Sequence, residues 1–149
     1  MFKKLLPLCL CLGWLLLIFF LSTQNGEQTA AASSGIASWL AKIVYGSPTE
    51  MQINDVHMLI RKVAHFLLFY GFGVLSTYTF FAFIERHKRV TSCFSMLITM
   101  AVAVLDEWHK AFIPGRLCHI EEILLNMIAG TLGVGCVVLV AWRRNKKAK

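Results

Sequence analysis

Asp106, Glu107, Lys110, Arg116, Glu121 and Glu122 crowd into one short stretch, while residues 90–105 before it and 123–142 after it carry no charge. A turn between two apolar segments needs one or two charges to set its direction. Six of them in that position imply a further use, because charge near hydrocarbon is costly to keep. Two earlier residues belong with this group by chemistry. His65 is a candidate general base or nucleophile, with Asp106 placed to orient its ring and Glu107 beside it as a second carboxylate. Arg61 and Arg116 offer paired N–H donors of the kind that clamp a phosphate, with His109, Glu122 and Asn126 as further polar contacts to a bound group.

The elements that must hold these residues follow from composition. The chain has 149 residues, of which 57% are hydrophobic and 15% charged, with a mean hydropathy of +0.64. Soluble domains carry about 25% charged residues. A single membrane domain over residues 1–149 is therefore expected. The net charge of +7 does not point to nucleic acid. The cations fall at Lys3 and Lys4, at Arg86, Lys88 and Arg89, and at Arg143, Arg144, Lys146, Lys147 and Lys149, each group flanking an apolar run. This is the positive-inside pattern, and it predicts that both termini are cytoplasmic.

The expected fold is all-α, a polytopic membrane protein with four transmembrane helices near 5–22, 60–84, 90–110 and 121–142. The first run is taken as a retained span, because small residues that would suit signal cleavage come too late after it. Between the first two spans, Ile36, Trp39, Leu40, Ile43 and Val44 repeat with helical spacing. The twelve or so residues from 33 to 45 are too few to cross a core of about 30 Å, so an interfacial helix on the outer surface is predicted. Tyr45 to Thr49 reads as the turn that ends it.

Depth is set by counting. About 20 residues back from the basic cluster at 85–89 lies His65, with Arg61 one turn above it and His57 another turn beyond. The third span is uncharged for only 16 residues, about 24 Å of the core, so its helix must continue through Asp106 and Glu107. His65 and Asp106 thus reach one level. On the fourth span Glu122, Asn126, Ala129, Gly130 and Gly133 form one stripe, whose small residues favour close helix packing. Five cysteines, Cys9, Cys11, Cys93, Cys118 and Cys136, have neither metal-ligand spacing nor a disulfide framework.

The string DEWHKAFIPGR, Asp106 to Arg116, followed by Glu122 and Asn126, resembles the VanZ-like membrane protein family, as do residues 22–33 and 61–73. In two places the sequence departs from the family pattern: Lys110 stands where Gln is usual, and Glu122 where Asp is usual. The resemblance implies a multi-pass protein of the bacterial cell membrane, in a family named for a member that lowers susceptibility to the glycopeptide teicoplanin.

Several readings of the polar group remain open at this level. It binds a phosphorylated lipid or lipid-linked cell-wall precursor in the outer leaflet, or it is an enzyme on such a lipid, or it is an ion-pair latch without a ligand. A proton-coupled carrier ranks last, since no inverted repeat is visible. His57, His65, His109 and His119 lack the spacing of a zinc motif, so neither a metal nor a cofactor is expected. Membrane lipids are the expected partners, and nucleic acid is not one.

Overall fold

The computed structural model describes residues 2–24, 26–84, 87–113 and 118–147, without the side chains of residues 2–3, 26–33 and 147. Five helices follow in order: α1 (Phe2–Thr23), α2 (Gly26–Tyr45), α3 (Glu50–Phe83), α4 (Lys88–Lys110) and α5 (Ile120–Lys147). All but α2 are long and apolar enough to cross a membrane. The class is all-α, as composition requires, with four candidate spans.

Two helices are longer than hydropathy alone predicts. α2 starts at Gly26 rather than near residue 33, and α3 starts at Glu50 rather than near residue 60. A count of apolar residues measures the part of a helix suited to hydrocarbon, whereas capping decides where the helix begins. Thr49 accepts a hydrogen bond from the Gln52 backbone N–H, and the Gln52 side chain accepts one from the Thr49 N–H, a reciprocal cap that fixes the start of α3. The turn ahead of it forms as the residues predict. Gly46 takes a left-handed φ of 71° and donates its N–H to the Lys42 carbonyl, closing α2. With 34 residues, α3 is about 51 Å long and exceeds a core of about 30 Å.

The interior holds many polar side chains beside its apolar ones, and the exterior carries large apolar side chains. Buried side chains include Ser76, Thr77, Thr79, Thr91, Ser95 and Thr99, whereas Leu6, Leu16, Phe20, Leu97, Leu132 and Leu139 are exposed. Water would favour the reverse, so this distribution supports a lipid surround independently of hydropathy. Apart from Thr79, these hydroxyls donate to carbonyls three or four residues earlier in the chain. On α4, Thr91, Ser95 and Thr99 each donate to the carbonyl four residues earlier, at distances of 2.8, 2.9 and 2.8 Å.

Small residues bring α3 and α5 together. A Cβ on Gly73 would lie 2.2 Å from the Gly130 carbonyl oxygen, and one on Gly133 would lie 2.2 Å from the Tyr70 carbonyl oxygen. The glycine stripe of α5 thus lies against α3 backbone. α1 packs across α3, where the Trp14 indole N–H donates to the Leu68 carbonyl at 2.8 Å and Thr79 donates to the Pro7 carbonyl at 3.0 Å. Ile18, Phe69, Phe72, Val102, Ala103 and Ala129 form the apolar core of the bundle. Among the described residues, α2 packs on α3 and on no other helix. Its buried residues are Ala37 and Ala41, and the large side chains Ile36, Trp39, Ile43 and Val44 face outward.

Candidate functional site

The C-terminal ends of α1 and α4 meet the first turn of α5 and the upper half of α3 at one end of the bundle. Lys110 is the hub. Its Nζ lies 2.7 Å from Glu107 Oε2, 3.2 Å from Asp106 Oδ2 and 3.3 Å from Glu122 Oε2. Asp106 and Glu107 precede it by four and three residues, so a single helical turn stacks all three on the buried face of α4. Asp106 and Glu107 are 0% exposed and Lys110 1%. One ammonium faces three carboxylates in a setting closed to solvent.

The remaining oxygens have assigned partners. Ser22, at the end of α1, donates its hydroxyl to Asp106 Oδ1. Glu107 Oε1 accepts the His119 backbone N–H at 2.9 Å, which fixes the chain just before α5. Glu122 shares its carboxylate, with Oε2 toward Lys110 and Oε1 2.5 Å from Arg61 Nη2 on α3. The first turn of α5 carries Glu121 and Glu122, where the helix dipole favours negative charge. The chain of contacts Ser22, Asp106, Lys110, Glu122, Arg61 ties four helices together.

Burial falls off along that chain. The Arg61 side chain keeps 32% of its surface exposed, against 9% for Glu122. Beside Arg61 a cavity of about 190 Å³ is lined by Met58, Arg61, Lys62, His119, Glu121 and Glu122. The site therefore has a closed inner half centred on Lys110 and an open rim centred on Arg61.

Of the residues singled out from sequence, Arg61 and Glu122 meet directly, and Asp106 and Glu107 join them through Lys110. His65 lies at the same end, within electrostatic range of Lys110, Asp106, Glu122 and Arg61. No hydrogen bond joins His65 to Asp106, however: Asp106 is engaged by Ser22 and Lys110, and the buried His65 Nδ1 has no partner. His109 turns toward α1 and meets the Phe19 ring edge-on at 6.0 Å between centroids, with its buried Nδ1 also unpartnered. Asn126 is fully buried, and among the described residues neither polar atom of its amide has a hydrogen-bond partner. Arg116, with Pro114 and Gly115, lies outside the described residues, as do Glu85 and Arg86.

Two participants were not placed in the site by sequence. Lys110 is one of the six charges crowded between the apolar runs and shares a face with Asp106, yet the sequence assigns it no contact in the site. Ser22 carries no such signal, because its role exists only once α1 packs beside α4. Among the described residues, no group of three or more His, Cys, Asp or Glu is arranged to hold a metal ion, and all five cysteines are free.

Comparison with curated proteins and with solved structures returned no significant match. The VanZ/LLP1 family profile matches residues 7–141, which takes in most or all of each of the four candidate spans and every residue of the Lys110 cluster. The chain belongs to the VanZ/LLP1 family of membrane proteins.

Proposed function

We propose that this protein binds the phosphorylated head group of a lipid, or of a lipid-linked cell-wall component, at the Arg61 rim. The observation that carries the reading is the partial exposure of Arg61 beside a cavity that also receives Lys62 and His119. One guanidinium N–H group is held by Glu122, which aims the planar fork and leaves further donors for a phosphate. Glu121 on the same cavity accepts from hydroxyl or amine donors, which a sugar-bearing head group has and a bare phosphate lacks. Unpartnered polar atoms on His65 and Asn126 add buried hydrogen-bonding capacity below the rim.

The inner half acts differently. Asp106 and Glu107 are held by Lys110, Ser22 and the His119 N–H, so their role here is to position Glu122 and Arg61 rather than to move protons. This favours binding over catalysis and gives the ion-pair latch a place within the same site.

By the positive-inside rule the basic end faces the cytoplasm of a bacterial cell, and the Lys110 cluster lies in the outer leaflet. α2, with Trp39 and Ile43 turned outward, then rests at the outer interface. A protein holding cell-wall precursors there would alter susceptibility to glycopeptides such as teicoplanin. Expression in a glycopeptide-susceptible bacterium tests this: the wild-type protein lowers teicoplanin susceptibility and Arg61→Gln does not. Equal effects of both proteins would remove Arg61 from the account.

A further inference from the structure

The opposite end of the bundle holds a second constellation that the Arg61 site does not use. Two grooves run there between α3, α4 and α5, with volumes of about 280 and 300 Å³. They share Phe81, Lys88, Ala141 and Asn145. The first adds Arg89 and Val138, and the second adds Arg144 and Val137. Each groove has a largely apolar lining with two cations in it, and Lys88 belongs to both.

Among the described residues, the two groove linings hold cations and no carboxylate. Lys88, Arg89 and Arg144 make no salt bridge to a carboxylate among the described residues, in contrast to Lys110 and Arg61. Lys88 Nζ instead lies 6.0 Å from the centroid of the Phe81 ring. Lys146 Nζ lies 4.1 Å from the centroid of the Trp142 ring, which lines the first groove. His87 gives the first turn of α4 no side-chain cap, so backbone N–H groups add to the positive field around Lys88.

We propose that this end binds an anionic phospholipid of the surrounding leaflet, with its phosphate on Lys88, Arg89 and Arg144 and one acyl chain in each groove. Two largely apolar grooves that share one cation match the shape of a diacyl lipid, whose two chains leave a single phosphate. Charge decides the lipid class. A phosphodiester with an uncharged head brings a net negative charge to the three cations, whereas a zwitterionic lipid brings an ammonium into the same field. Free phosphate has nothing to place on Phe81, Val137, Val138 and Ala141.

Native mass spectrometry of the full chain, released from nanodiscs of mixed phosphatidylglycerol and phosphatidylethanolamine, tests the proposal. Phosphatidylglycerol is expected to be retained in preference, and inorganic phosphate is expected not to displace it. Lys88→Gln with Arg144→Gln should lower that retention about tenfold. Ala141→Phe adds bulk to the shared lining without altering charge and should lower it too. Lys42→Gln, a cation on α2, is the control and should leave retention unchanged. Equal retention of the two lipids, displacement by phosphate, or wild-type retention in either Lys88→Gln/Arg144→Gln or Ala141→Phe would overturn the proposal. A variant that fails to fold is replaced by Lys88→Arg with Val138→Phe, for which loss of retention supports the groove and wild-type retention refutes it.

Discussion

Lys110 Nζ lies 2.7 Å from Glu107 Oε2, one turn earlier on the same helix, and both side chains are closed to solvent. Buried ions of opposite sign tolerate each other's company far better than either tolerates isolation. Lys110→Met leaves Asp106, Glu107 and Glu122 without their common cation and should cost about 3–5 kcal/mol, the usual effect of breaking a buried pair from one side. Lys110→Gln keeps an N–H donor for Glu107 and should cost less. Thermal unfolding in detergent ranks the two, and equal midpoints for Lys110→Met and the wild type would show that the cluster carries no stability.

Ser22 is the link between α1 and the cluster. Ser22→Ala removes the donor to a buried carboxylate oxygen, with an expected loss of about 1.5–3 kcal/mol. In an Asp106→Asn background the same change should matter less, because the two residues act on each other. A double-mutant cycle on unfolding free energy measures the coupling, and additive effects would show that the Ser22–Asp106 contact is energetically silent.

The glycines rank themselves by what a methyl group would strike. Gly73→Ala and Gly133→Ala meet backbone oxygen at 2.2 Å, and each should cost about 1–3 kcal/mol or prevent folding. At Gly130 the obstacle is the Thr99 methyl group at 2.2 Å, so Thr99→Ser should rescue much of the loss in Gly130→Ala. Gly135 has open space around it, and Gly135→Ala should be harmless or slightly stabilising. Yields of monodisperse protein and unfolding midpoints read the order directly.

Orientation has its own test. In a cysteine-free background, a cysteine at Ser47 in the turn between α2 and α3 should react with an impermeant thiol reagent added to intact cells. One at His87, between α3 and α4, should react only after the membrane is opened. The opposite pattern would move the Lys110 cluster to the inner leaflet.

How much the sequence discloses depends on whether a feature is local. Helical class, four apolar spans and the Gly46 turn rest on local composition and are readable from it. The placement of His65 and Asp106 at the same end of the bundle is nearly local, since each is measured by residue count from a basic cluster. Helix starts are less legible, because the Thr49 cap lies well outside the apolar stretch of α3. The partners inside the site are the least legible. The association of Ser22 with Asp106 and the opposition of Gly73 to Gly130 depend on which helices touch, and spacing within one helix carries no record of that. Lys110 is the intermediate case: its spacing from Asp106 and Glu107 is plain, and only packing against α5 makes it the centre.

The most direct test of the account is ³¹P NMR of a short polyprenyl phosphate titrated into nanodiscs of the wild type, Arg61→Lys and Arg61→Gln, with the uncharged polyprenol as competitor. Arg61 is partly exposed and Glu122 keeps Lys110 as a partner, so Arg61→Gln should lower the unfolding midpoint less than Lys110→Met and leave a folded protein. The account predicts saturable binding to the wild type, weaker binding to Arg61→Lys, loss of about tenfold or more in Arg61→Gln, and no competition by the polyprenol. Wild-type binding by a folded Arg61→Gln, or displacement of the phosphate lipid by its alcohol, would contradict it.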